Sequence, residues 1–216
     1  MPASPAPSFE PSRDCRLCDR LVAFRMHWRS KEPDWHNAPV PSFGPATARL
    51  LIAGLAPGLQ GANRTGRPFT GDWAGDLLYE TLGDFGFAAG TYDERPDDGL
   101  TLVDCRITNA VRCVPPENKP VGNEIASCRP FLAKTIETMP ELKIILALGK
   151  IAHDSVVTAL GERPARLRFA HHARHQVGGL TLIDSYHCSR YNTNTGRLTT
   201  PMFRDVFATI RGILDQ

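Results

Sequence analysis

The sequence predicts an α/β protein: a three-layer α/β/α sandwich around a short, mostly parallel, four-stranded sheet. Three observations lead there. Four short segments are continuously apolar rather than alternating, as strands covered on both faces are. Segments with helical spacing lie between them. Strand alternating with helix is the pattern of a parallel sheet joined by crossover helices. At 216 residues and 42% hydrophobic content, the chain suits one ordinary domain with a sizeable core.

In chain order, residues 1–12 read as a disordered tail, since Pro2, Pro5, Pro7 and Pro11 fall among Ser and Ala. Residues 13–216 read as a single domain. The first strand covers residues 50–53 and stops at Gly54. The second starts at residues 101–103 and leads towards Ile107 and Asn109. The third covers 143–148 and stops at Gly149; the fourth covers 180–183 and ends near Asp184. Leu77, Leu78, Thr81, Leu82 and Phe85 make one helical face. Ile125, Cys128, Leu132 and Ile136 make another, interrupted by Pro130. After the last strand, Thr200 reads as a helix cap and Pro201 as the first helical position. Phe203, Val206, Phe207, Ile210, Ile213 and Leu214 then follow at helical spacing. Ligands of such folds bind beyond the carboxyl ends of the strands. The segments after Ala53, Ile107, Leu148 and Ile183 are therefore where a site is expected.

Charge is balanced, 25 Lys+Arg against 23 Asp+Glu, for a net +2. That neither demands nor excludes a nucleic-acid partner, because a basic groove can sit inside a near-neutral total. The N-terminus has no apolar signal-like region, and the most apolar run, 144–148, is too short to cross a bilayer. A soluble, cytoplasmic protein is expected. In that compartment six cysteines are not a disulfide framework; metal ligands or buried thiols fit better. Cys15 and Cys18 form a C-x2-C, and with Cys113 and Cys128 they can enclose a zinc ion or an iron–sulfur cluster. Spacing does not choose between the two, and Cys113 and Cys128 also suit plain core positions. Cys105 reads as a packed thiol. Neither it nor Cys188 has a C-x2-C neighbour, so both stand outside the set.

Residues 54–72 form a long loop holding Gly54, Gly58, Gly61, Gly66 and Gly71. It is not a phosphate-binding P-loop, because Gly66 is followed by Arg67-Pro68. Long loops in compact domains are usually functional, and glycines let backbone approach a ligand closely.

Here a resemblance becomes specific. Gly54-Leu55-Ala56-Pro57-Gly58 resembles the G-E-A-P-G of family 4 of the uracil-DNA glycosylase superfamily. Its continuation over 61–72 is closer to family 5, the type B enzymes. The run from Ile107 through Asn109 and Cys113 to Pro120 looks like the family's Asn-bearing segment leading into a cluster cysteine. His187-Cys188-Ser189, followed by Thr195-Gly196-Arg197-Leu198-Thr199, resembles the family 5 H-P-S…T-G-R-L-T. The likeness runs from about Cys15 to the end of the chain. It implies a [4Fe–4S] cluster on Cys15, Cys18, Cys113 and Cys128. It also implies a monofunctional DNA-repair glycosylase, which flips a deaminated or damaged base out of DNA and hydrolyses its N-glycosidic bond. Uracil, hypoxanthine and modified cytosine are the bases the resemblance suggests. Double-stranded DNA is the expected partner, with single strands as a further substrate, and the protein is expected to be a monomer.

Such chemistry needs a stacking face, donors for the departing base and a guide for water. Base-binding residues are expected at Gly54, Ala56, Phe69, Asn109 and His187. Phe69 supplies a flat apolar wall, unless it is simply a core residue. The amide of Asn109 offers a donor and an acceptor to a base edge. His187 can hydrogen-bond the base's carbonyl oxygen as charge develops there. The carboxylate of family 4 is missing, because Leu55 stands in its place. Asp72 is the nearest acid in the loop and the expected guide for water; it also suits the N-cap of a helix beginning near Ala74. Asp72, His187 and Asn109 form the catalytic expectation. Arg190, Tyr191 and Arg197 are expected to contact DNA, with Tyr191 or Leu198 as a wedge into the duplex. The basic stretch from Arg163 to His175 is a second candidate for phosphates. Cys188 departs from the motif's Pro, which removes a constraint on the loop. With Leu55, it motivates a rival reading: a catalytically weak or inactive iron–sulfur nucleic-acid-binding protein. A zinc-stabilised α/β domain is the third reading.

Overall fold

A computed structural model describes residues 9–216. Helix α1 spans Asp19–Lys31, strand β1 Leu50–Gly54, and the short α2 Ala62–Thr65. Helix α3 spans Trp73–Asp84, followed by strands β2 (Ala88–Ala89), β3 (Thr101–Leu102) and β4 (Cys105–Asn109). Helix α4 (Gly122–Glu137), β5 (Ile144–Leu148) and α5 (Lys150–Ala159) come next. Strands β6 (Arg174–Val177) and β7 (Leu180–Ser185) and helices α6 (Arg190–Asn194) and α7 (Thr200–Leu214) complete the described chain.

The main sheet has the order β4-β1-β5-β7-β6. All neighbours are parallel except β6, which runs antiparallel to β7. The α/β class with a mostly parallel sheet stands as expected, but the sheet has five strands rather than four. The missed strand, β6, is polar but for Val177, with Arg174 and Gln176 exposed. An antiparallel edge strand needs little apolar surface, so it reads as loop. The second expected strand also divides in two. Asp104 takes a left-handed φ of 53° between β3 and β4. That kink sends β3 to pair with β2 in a separate two-stranded sheet. The Asp104 carboxylate accepts from the Arg49 backbone and side chain, which fixes the kink at the start of β1.

Alternation along the buried strands serves two cores. Leu50, Ile52, Ile107, Ile144, Leu146 and Ile183 face α3 and α7, against Leu78, Leu82, Phe203 and Phe207. Leu51, Ala53, Ile145, Ala147 and Leu182 face α4 and α5, against Leu132, Val156 and Val157. Burial of such side chains stabilises by roughly 25 cal/mol per Å² of apolar surface. Pro130 does not end α4, which runs through it. The cap of α7 is Thr199, whose hydroxyl accepts from the Met202 N–H, so the expected cap at Thr200 lies one residue late.

Of the expected tail, residues 1–8 lie outside the described residues. Within 9–12, Glu10 pairs with the buried guanidinium of Arg112 at 2.8 Å and accepts from the Ser42 backbone N–H. The chain leaves β1 first for β4 on one side and later for β5 on the other. This reversal is a topological switch point, which opens a crevice beyond the carboxyl ends.

Candidate active site

A cavity of about 350 Å³ occupies that crevice. Its walls come from the loop after β1, the end of β4, the first turn of α3 and the segment after β7. Leu55, Ala56, Phe69, Asp72, Asn109, His187 and Arg190 all line it. The sequence-predicted residues on the three loops are thus brought to one place.

Gly54 and Asn109 are register partners across β1 and β4. Asn109 is 3% exposed, and its Oδ1 accepts no hydrogen bond within the described residues. A side chain on Gly54 would collide with that oxygen and with the Phe69 ring. The glycine therefore lets an amide and an aromatic edge converge on one spot.

Phe69 is buried and held at φ 53°, a costly conformation for an aromatic residue. Several neighbours fix it. The Tyr92 hydroxyl donates to its carbonyl at 3.3 Å, and Tyr79 donates to Pro68 at 2.6 Å. Arg67, just before it, forms a buried ion pair with Asp98 at 2.6 Å and donates to Thr70. The Phe69 ring stacks on His187, with centroids 5.8 Å apart and 28° between planes.

His187 reaches the surface in part, yet its ring lies deep enough that burial pushes its pKa down to about 4. The imidazole is therefore neutral near pH 7. Asn192 donates to the His187 carbonyl at 2.8 Å and fixes the loop behind it.

Asp72 is the N-cap of α3: its Oδ1 accepts from the Gly75 N–H at 3.2 Å. Its Oδ2 points to Gly58 and Gly61, where a Gly61 side chain would crowd the carboxylate. Capping and water guidance are thus compatible, each served by a different oxygen. Burial raises the pKa of Asp72, and the N–H groups of Gly75 and Ala74 oppose that rise.

Cys188 is fully buried, and its thiol donates to the Ala74 carbonyl at 3.4 Å, in the first turn of α3. Leu198 is also fully buried in the core, which removes it as a wedge. Tyr191 is 72% exposed. The exposed Arg197 lies over the Tyr186 ring at 4.7 Å. Part of the basic stretch serves internal contacts: His172 and Arg174 reach Thr209, and His175 reaches Asp184. Two residues at the cavity escaped the sequence reading. Asn118 sits in a left-handed turn with φ 57°, and Trp73 is half exposed. Asn118 lies inside the motif-like run from Ile107 to Pro120, where nothing singled it out, and Trp at a helix start carries no motif signal.

Cys15, Cys18, Cys113 and Cys128 line a second cavity, between α1, the segment after β4 and α4. Arg25 donates to the Cys113 sulfur at 3.3 Å and to the Cys15 carbonyl at 2.7 Å. The Arg112 N–H reaches the Cys128 sulfur at 3.3 Å. Among the described residues, the metal-ligating atoms that converge within 4.8 Å are those of His153, His175 and Asp184, not the cysteines. Cys105 and Cys188 are buried elsewhere.

A base-sized cavity at a switch point, with an aromatic wall, an amide and an acid, defines a glycosylase-like α/β site. The sequence profile of the uracil DNA glycosylase superfamily matches residues 41–211, and the chain belongs to that superfamily. Its place within it follows from its relatives. The Type-5 uracil-DNA glycosylase of Thermus thermophilus is 44% identical, over 89% of this chain and 90% of the relative. That of Pyrobaculum aerophilum is 36% identical, over 89% and 86%. The Type-4 enzyme of the latter organism is 35% identical over only 59% of this chain. The likeness is therefore to the type-5 branch along nearly the whole chain, and to type 4 over part of it.

Proposed function

We propose that the protein excises uracil, and with it other deaminated bases, from DNA by hydrolysing the N-glycosidic bond. The observation that carries this reading is the buried, unpartnered Oδ1 of Asn109 at the cavity wall. A buried acceptor without a partner costs roughly 1–3 kcal/mol. An imide N–H of a flipped base would satisfy it.

In this reading the base enters the cavity lined by both Phe69 and His187 and stacks on the Phe69 ring. Neutral His187 donates a hydrogen bond to a base carbonyl oxygen, where negative charge grows as the C1′–N bond breaks. Asp72 holds a water with its pocket-facing oxygen and takes its proton as the water oxygen bonds to C1′ of the sugar. The products are an abasic site and the free base, reprotonated from solvent. Gly54 and Ala56 shape the cavity, and Arg190, Tyr191 and Arg197 contact the DNA. The names of the relatives support catalysis, so the reading as an inactive binding protein is not favoured.

Cys15, Cys18, Cys113 and Cys128 would hold a [4Fe–4S] cluster. Four thiol donors around one cavity, with N–H groups of Arg25 and Arg112 directed at two of the sulfurs, suit such a group. The cluster would tie the segment before α1 to the segment after Asn109, a structural task.

The test is single-turnover cleavage of a duplex bearing one uracil, followed by alkali. Asp72→Asn is expected to slow base release by roughly 10²-fold or more while binding stays within a few-fold. Equal rates for the two proteins would remove Asp72 from the chemistry. No cleavage by the wild-type protein on uracil, hypoxanthine or xanthine duplexes would remove the function itself.

A further inference from the structure

Trp73 is the first residue of α3, next to Asp72, and it sits at the mouth of the cavity. It is one of the few large apolar residues left exposed, at 50%. Yet it is not free to move. Its indole N–H donates to the Thr193 hydroxyl at 3.2 Å, and the Arg190 guanidinium lies 5.4 Å from its ring centre. Both partners belong to α6, the helix that follows His187. An indole ring fixed by a hydrogen bond and a cation, half open to solvent beside a base-sized pocket, is pre-organised for a flat partner.

We infer that Trp73 is a stacking platform for the DNA base next to the flipped nucleotide, with Arg190 placed for the adjoining phosphate. This rests on the glycosylase reading above. Flipping one nucleotide breaks its stacking on both neighbours, and an aromatic ring at the pocket mouth restores one of those contacts. The charge fits too: Arg190 lies over one face of the Trp73 ring, which leaves the other face for a base and sets the cation where the adjoining phosphodiester would pass. Because Trp73 directly follows Asp72, a base seated on it also steadies the turn that carries the acid.

Tryptophan emission and steady-state cleavage test this on the full-length protein, with a short duplex bearing one uracil as the probe. Trp73→Ala should raise KM by roughly tenfold or more, with a smaller fall in kcat. Trp73→Phe should restore most of that loss. Raising the salt concentration should weaken wild-type protein and Trp73→Ala with the same slope, whereas Arg190→Ala should flatten the slope. Emission of the wild-type protein should be quenched by the duplex, and Trp73→Phe should lose that quench, since Trp28 and Trp35 stack on each other elsewhere. An unaltered KM in Trp73→Ala, or an equal quench in Trp73→Phe, would overturn the inference while leaving the glycosylase reading intact. A wild-type protein that neither binds nor cleaves the duplex would instead sink the reading beneath it.

Discussion

At the scale of single residues, the site separates two titratable groups by environment. Burial lifts the Asp72 carboxyl above its ordinary 3.8, whereas burial lowers the His187 imidazole to about 4. Loss of charge is favoured in both, which makes one a poised base and the other a neutral donor. The pH dependence follows. Down to about pH 5 His187 keeps its neutral form, and Asp72 is the site carboxyl whose protonation burial favours. A protonated Asp72 cannot take a proton from water, so kcat should fall as pH drops through a value above 3.8. The pH profile of single-turnover excision should show that acid limb in the wild-type protein and lack it in the residual activity of Asp72→Asn. A limb of the same midpoint in both proteins would assign it to another group. The fit of Cys188 belongs to this scale as well. Where the motif's Pro would stiffen the loop, this chain uses a buried thiol bonded to Ala74.

At the scale of elements, the site depends on how α3 meets the loop before it. Gly75, in the first turn of α3, lies so close to the Phe69 carbonyl that a methyl group there would overlap it. Gly75→Ala must push the loop off the helix, and the strained Phe69 moves with it. The expected result is a loss of excision of roughly 10²-fold, and a drop of about 1–3 kcal/mol in stability from denaturant melts. A variant with wild-type kinetics would show that Phe69 tolerates displacement. Such contacts explain what the sequence could and could not reveal. Strands β1 and β5 were legible because they are apolar at every position, and α7 because its apolar face repeats over the helix length. Helix α1 was not legible: Leu21 is its one buried apolar side chain, and Arg25 shares the buried face. Strand β6 was hidden by its polar sequence, and the kink at Asp104 by having no Gly or Pro to mark it. Among site residues, those on motif-like loops were visible. Trp73 was not, and Asn118, although inside such a run, had no role to be read, because only the closing of the chain brings them to the cavity.

At the scale of the whole molecule, the sheet is secured at its two edges by different means. Beside β4, the Arg112 guanidinium binds Glu10, Ser42 and Thr135, and Phe43 bridges to Ile107. Beside β6, a polar cluster does the work. His153 on α5 meets the Asp184 carboxylate at 2.7 Å through Nδ1 and the Leu167 carbonyl at 2.7 Å through Nε2. His175 on β6 reaches the other Asp184 oxygen at 3.2 Å. Both His153 contacts are to acceptors, so the ring satisfies them only as a doubly protonated cation. Burial works against that charge, but the Asp184 carboxylate outweighs it, helped by the Leu167 carbonyl and by Asp154 nearby. The His153 pKa is therefore raised above 6.5. A His with a raised folded-state pKa gives its full stabilisation below its unfolded value and loses it as pH climbs through the folded one. The melting temperature should accordingly be highest near or below pH 6.5 with respect to this group, and decline as pH rises past the shifted value. His153→Gln should melt lower at pH 6 and show a flatter decline above it. A calorimetric series over this window decides the matter: equal slopes for both proteins would mean that the cluster does not hold a proton. Because β7 carries Asp184 and leads directly to His187, loosening this edge should also reduce excision on the alkaline side, in step with the fall in melting temperature.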